Sequence, residues 1–242
     1  MNINASETGF THVISAVGNA LMALQPAMVE AAVAAGVRHF YASEWNSDID
    51  QKEIQNMRYF RDKQTVRAYL RAKAAHTPGF QFTLMVTGIF TEWAIDEFYG
   101  FDHKTHTARL YGQPGRRIGV TSIPDVARYT IDSLQIEFEG PGRILRVQGW
   151  TGTTEDLFAE MERARGEKYN ITYVDVQEAE QRQEEARLAG NDREEMMYSI
   201  KSLLLSGFGV ADGVAKLDNH RFSFDPETAR RTFERVFFRK DA

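Results

Sequence analysis

Thr11-His12-Val13-Ile14-Ser15-Ala16-Val17-Gly18, then residues 26–35, then Val37-Arg38-His39-Phe40-Tyr41-Ala42 running into Ser43-Glu44-Trp45, is the stretch that decides the fold. The first run is mostly apolar and ends at a glycine, the pattern of a buried strand. Residues 26–35 open on Pro26 and stop at Gly36, so they read as a helix with proline in its first turn. Residues 37–42 are a second apolar strand with polar residues at its carboxyl end. Strand, helix, strand and polar loop make a βαβ unit, and such units place their sites at the carboxyl ends of the strands.

The pattern continues outward from there. A helix is expected from near Ile54 to just before Pro78-Gly79, and it carries Tyr59-x-x-x-Lys63 one turn apart on one face. Strands are expected at 80–86, 107–111, 117–121, 144–147 and 169–174. Helices are expected at 124–134, from about 153 to 164, at 177–188 and at 192–205. The order is β-α-β-α-β, then short mixed elements, then helices. It implies an α/β fold with a parallel sheet and an appended, partly helical cap. Substrate is expected at the carboxyl ends of the strands, near Gly18, Ser43 and Gly88.

Composition narrows the function classes. The 242 residues are 43% hydrophobic and 12% aromatic, enough for a sizeable core. A formal net charge of −5 gives no electrostatic footprint for nucleic acid or an anionic membrane. Arg116-Arg117 and Arg230-Arg231 read as solvated surface. The sequence has no cysteine, so disulfides, zinc–thiolate sites and thiol catalysis are excluded, in keeping with a cytoplasmic location. No basic stretch leads into an apolar core near Met1, and no apolar run has the ~18 residues a membrane span needs. His103 and His106 sit in Asp-His-Lys-Thr-His-Thr, a polar hairpin rather than a metal site. His12 reads as an edge or core histidine.

An ordered set of motifs then carries a family resemblance. Val13 to Gly18, Ala34-Ala35-Gly36-Val37-Arg38-His39-Phe40, Ser43-Glu44-Trp45, Lys63-Gln64-Thr65-Val66-Arg67, Pro78 to Thr83, Gly88-Ile89-Phe90, Thr121 to Tyr129 and Phe224-Asp225-Pro226 occur in sequence. Together they resemble the NmrA-like and isoflavone-reductase-like branch of the short-chain dehydrogenase superfamily. The resemblance implies a single domain over 1–242. Residues 1–90 and 119–150 would form a truncated Rossmann-like core with helices on both faces, and 91–118 and 151–242 a substrate-binding cap. It implies NADP(H) as cofactor and reduction of a small, secondary-metabolite-like carbonyl or enone. The family's opening strand and Gly-x-x-Gly-x-x-Gly loop, whose backbone N–H groups hold the pyrophosphate, have no counterpart in these residues. Weak dinucleotide binding is therefore expected, from either a naturally shortened relative or a truncated gene; the DNA upstream of Met1 distinguishes them. An isomerase or cyclase using the same pocket, and a catalytically silent redox-sensing regulator, are the alternative functions.

Particular residues follow. Lys63, Tyr59 and Ser43 are the candidate catalytic group. A nearby ammonium would lower the phenol's pKa, and Ser43 would hydrogen-bond a substrate oxygen. Val17, Gly18, Lys63, Thr87 and Gly88 are candidates for the cofactor; Glu44, Trp45 and Phe90 are candidates for the substrate; no metal is expected. The partner is a small molecule. The apolar first strand is expected to be an exposed edge, so self-association through it, or cover by the residues before it, is expected.

Overall fold

The computed structural model describes residues 9–211 and 215–238. The chain begins with β1 (His12–Ile14), α1 (Gln25–Ala34), β2 (His39–Tyr41), α2 (Arg61–His76) and β3 (Gln81–Val86). After β4 (Ile89–Phe90), β5 (Phe101–Asp102), β6 (Thr107–Tyr111) and β7 (Arg117–Thr121) come α3 (Ile123–Asp132) and β8 (Gly142–Arg146). Then follow β9 (Trp150–Thr153), α4 (Thr154–Arg165), β10 (Asn170–Val174), α5 (Val176–Leu188), α6 (Asp192–Lys201) and α7 (Ala229–Phe238).

One sheet runs β1-β2-β3-β8 with every pairing parallel. The strand side chains alternate between its faces. Phe40, Phe82 and Leu84 turn to one side, where Val29 and Ala32 of α1 and Val66, Leu70 and Ala74 of α2 bury them. Tyr41, Met85 and Leu145 turn to the other, against Tyr129 of α3. This two-sided cover explains why the strands read as nearly continuous apolar runs. Gly142 in β8 is required here, because a Cβ would stand 2.3 Å from the Phe82 ring. A larger core gathers the remaining elements. Two three-stranded sheets, β4-β7-β9 and β10-β6-β5, pack with α4, α6 and α7 around residues such as Val120, Leu157, Phe158 and Phe233.

Three elements differ from the sequence expectation. The first strand pairs only over His12–Ile14, because the chain then peels off through Ser15 to Gly18 into a 3-10 turn at Asn19–Leu24. α2 starts at Arg61 rather than near Ile54. Residues 51–56 form turns and Arg58–Phe60 is a 3-10 turn, so Tyr59 lies just before the α-helix that carries Lys63. The helix beginning at Asp192 ends at Lys201, and a succession of turns carries Leu203, Leu204 and Leu205 into the core. His12 lies exposed on the edge strand.

Candidate active site

A cleft of about 400 Å³ opens at the carboxyl ends of β1, β2 and β3. Val17 and Gly18 come from the loop after β1, and Ser43, Glu44 and Trp45 from the loop after β2. Lys63 comes from the first turns of α2, and Gly88 and Phe90 follow β3. The structure therefore brings together every singled-out residue except Thr87. Thr87 is fully buried behind the wall, where its carbonyl accepts from Thr121 Oγ1 at 2.6 Å.

Among the described residues Lys63 is the one ammonium lining this cleft. It is 6% exposed, and its Nζ donates to the Glu44 carbonyl at 2.7 Å. Burial pulls its pKa from 10.5 down to about 8, with Glu44 opposing that and Arg67 reinforcing it. The group can thus change charge within the ordinary working range, and two of its three protons remain for a ligand.

Glu44 is the centre of a buried ion-pair network. Arg67, one turn beyond Lys63 on α2, holds its carboxylate in a fork, Nε to Oε1 at 2.9 Å and Nη2 to Oε2 at 3.0 Å. Arg67 Nη1 lies 3.1 Å from Asp50 Oδ1, an ion-pair contact without hydrogen-bond alignment. Arg146 donates to Asp48 on the same loop at 2.6 Å. Lys63 and Arg67 therefore grip one residue from one helix, the first by its backbone oxygen and the second by its carboxylate. The Glu44 carboxylate is consumed in this grip, and what it offers the cleft is a fixed loop.

The other candidates have defined duties as well. Ser43 Oγ donates to the Val17 carbonyl at 2.6 Å and ties the loop after β1 to the loop after β2. Tyr59 is half-buried. Burial raises its phenol pKa, and a hydrogen bond with Asn19 opposes the rise. Its pKa thus moves opposite to the direction a neighbouring ammonium would give, although Tyr59 and Lys63 line the same cleft. Trp45 has φ of 39°, a left-handed conformation that costs a bulky residue about 1–2 kcal/mol. Its indole N–H donates to Thr130 Oγ1 of α3 at 2.9 Å, which holds the turn in place. Gly88 has φ of 72°, and a Cβ there would meet the Gly119 carbonyl oxygen at 2.2 Å. Phe90 packs edge-on against Trp93 with ring centroids 4.9 Å apart, and both line the cleft.

Sequence reading missed Asn19, Asn46, Ser47 and Tyr99, which also line the cleft. Asn46 and Ser47 simply continue the polar run after β2 and could have been found there. Tyr99 arrives from a 3-10 turn far along the chain, and no local pattern announces it. Among the described residues no group of three or more His, Asp or Glu could hold a metal, and no helix is long and apolar enough to cross a membrane.

Comparison with known proteins puts this geometry in context. The sequence pattern of the NmrA-like family matches residues 3–202. Oxidoreductase aprR of Aspergillus flavus is 30% identical over 168 residues, which is 69% of this chain and 56% of that protein. Oxidoreductase poxI of Penicillium oxalicum is 24% identical over 179 residues, 73% of this chain and 57% of its own length. The chain thus spans little more than half the length of either. Among solved structures, leucoanthocyanidin reductase of Vitis vinifera in its binary complex with NADPH superposes with a TM-score of 0.73 at 16% identity, over 94% of this chain and 78% of that one. An isoflavone reductase gives 0.72 at 18% identity, over 97% and 77% respectively. At these identities the likeness shows the fold.

Proposed function

Because the chain belongs to the NmrA-like family, we propose that it is an NAD(P)H-dependent oxidoreductase of small aromatic carbonyls or enones, with Lys63 as the group that protonates the substrate oxygen. The observation that carries this reading is the Lys63 ammonium, buried on a cleft at the strand ends and held by the Glu44 carbonyl at 2.7 Å. The two relatives bear the name oxidoreductase, and the leucoanthocyanidin reductase was solved with NADPH.

The residues present fit the nicotinamide end of such a cofactor. Gly18 leaves open space, since a Cβ there would meet no protein atom within 4 Å, and Val17, Gly88 and Lys63 stand around the same cleft. Bound there, NADP(H) would supply two electrons to the substrate. The protein's own contribution is positional and acidic. Trp45, Phe90 and Trp93 line the cleft and give it aromatic surface against which a planar ring can pack. Lys63 Nζ would donate its proton to the oxygen on which negative charge develops, and Ser43 Oγ, with its own proton spent on Val17, could accept a hydrogen bond from the ligand. Residues 91–118 and 151–242 supply Trp93, Tyr99, Ile200 and Leu203 to the cleft, the contribution expected of a substrate-binding cap.

The test is to follow NADPH absorbance with the purified chain and a panel of aromatic enones, alongside calorimetric titration of NADPH alone. Substrate-dependent loss of NADPH that disappears in Lys63→Met supports the reading. Neither binding nor consumption of NADPH would overturn it.

A further inference from the structure

Lys63 differs from Lys73 and Lys168 in what holds it. Lys73 pairs with the Glu30 carboxylate at 2.7 Å, and Lys168 with the Glu162 carboxylate at 2.6 Å. Lys63 is 6% exposed, and its one hydrogen-bond partner among the described residues is the uncharged carbonyl of Glu44, at 2.7 Å. The carboxylate of Glu44 is forked by Arg67, which takes both of its oxygens.

A buried ammonium with no carboxylate in contact keeps the cost of desolvation without the gain of a counter-ion, so its neutral form lies within reach. Burial accordingly brings the Lys63 pKa down to about 8, with Glu44 opposing that and Arg67 reinforcing it. Besides Glu44, Tyr59 and Tyr99 are the titratable groups on the same cleft, and burial raises both phenols, so they stay neutral there. A neutral lysine amine has two N–H groups and one lone pair. One N–H keeps the Glu44 carbonyl, and the lone pair makes the nitrogen a nucleophile. Trp45 and Phe90 line the cleft with it and give an aromatic ring a surface to pack on.

Resting on the reading of this cleft as a site for aromatic carbonyls, and not on hydride transfer, we propose that Lys63 is a nucleophile that captures aromatic aldehydes as a reversible imine. The amine lone pair forms the C–N bond to the aldehyde carbon. The carbonyl oxygen takes one proton from the nitrogen and one from solvent, and leaves as water. No electrons pass to or from the protein, and hydrolysis runs the same steps backwards. The protonated imine carries the same single charge as the ammonium, and its one N–H still fits the Glu44 carbonyl. The Glu44–Arg67 fork serves both states, since it fixes the loop that supplies that oxygen. Holding the ring beside the amine makes the condensation effectively intramolecular, an advantage that a solvated lysine lacks.

The experiment treats the chain with benzaldehyde and sodium cyanoborohydride at neutral pH, without NADPH, and maps the benzylated peptides by mass spectrometry. Lys63 should be benzylated about tenfold or more faster than Lys168, whose side chain is 88% exposed. The α-amino group is scored on its own peptide. An excess of benzyl alcohol, which packs like the aldehyde but cannot condense, should slow Lys63 and leave Lys168 unchanged. Lys63→Arg should lose the fast lysine adduct and keep the slow ones. Labelling of Lys63 no faster than of Lys168, or undiminished by benzyl alcohol, would overturn the proposal, as would a fast lysine adduct that persists in Lys63→Arg. If Lys63→Arg does not fold, the wild-type map decides the matter. A chain that consumes NADPH but leaves Lys63 unlabelled keeps the reductase reading and loses this one. A chain that labels Lys63 and never consumes NADPH does the reverse.

Discussion

Lys63 Nζ reaches the backbone oxygen of Glu44 at 2.7 Å, while the carboxylate of that same Glu44 is held by Arg67, one helical turn further along α2. The lysine is thereby placed by a residue that is itself fixed, and its burial brings its pKa down to about 8. Supporting a reactive group on a rigid helix and a locked loop is how a site keeps its geometry.

Turnover should depend on this placement. As a proton donor Lys63 must be charged, so activity should be level below about pH 8 and fall above it as the ammonium titrates. Lys63→Met should lower turnover by about 10²-fold or more and abolish that limb of the profile. Tyr59→Phe should cost less, because its phenol pKa is raised rather than lowered. Melting temperatures should barely move in either variant. Full turnover by Lys63→Met on a true substrate would show that the proton comes from elsewhere.

How much of this was legible in the sequence depended on how local the cause was. The βαβ reading of 11–42 stands because proline at the start of α1, glycine at its end and apolar strands are all neighbours in sequence. The cleft's lining from β1, β2, β3 and α2 followed from topology alone. The start of α2 was not legible. Residues 51–60 have a helical apolar spacing at Ile54, Met57 and Tyr59-Phe60, but Ile54 and Phe60 are drawn into the larger core and the backbone turns to put them there. Nor was the duty of Glu44, because its partner Arg67 is 23 positions away and only the packing of α2 beside the loop joins them.

The Arg67–Glu44 pair should dominate the local stability. Arg67 is wholly buried, as is Asp48, and Glu44 is 2% exposed. Arg67→Met would leave the buried Glu44 carboxylate without its guanidinium, while Asp48 keeps Arg146, at a cost of about 3–5 kcal/mol. Glu44→Gln in the same chain should recover a substantial part of that loss, since it removes the stranded charge. Denaturant unfolding of the two single variants and the double variant measures the coupling directly. Strictly additive losses would mean that the fork contributes nothing of its own.

β1 pairs with β2 on one side, and among the described residues no strand pairs with its other edge. Phe10 is 60% and Ile14 36% exposed beside that edge. An open edge with apolar flanks is a template for another strand. The chain is expected to self-associate through it, and Ile14→Lys should shift the population toward monomer. Light scattering across a concentration series reads both; a monomeric wild type at every concentration would remove this expectation.

His39 supplies an acid limit to stability. It sits at the start of β2, 7% exposed, with its ring stacked on Tyr41 at 4.8 Å. Arg143 donates to Thr83 Oγ1 at 2.9 Å, so the hydroxyl proton of Thr83 is free to go to His39 Nε2, 2.7 Å away. That assignment makes Nε2 an acceptor and the ring neutral. Burial first, then the charges of His12 and Arg143, push its pKa from 6.5 down to about 3. The sign follows directly. Below 6.5 the unfolded chain takes up a proton that the folded chain refuses, so this contribution to stability is complete above 6.5 and is lost progressively as the pH falls toward about 3. The loss should reach on the order of a few kcal/mol at its full extent. His39→Gln keeps a polar group for Thr83 and has no proton to take up. Its stability should therefore start lower at neutral pH and decline less steeply on acidification, and urea titrations at pH 7 and pH 4.5 measure the difference. Parallel declines in the two proteins would place the acid sensitivity in other groups.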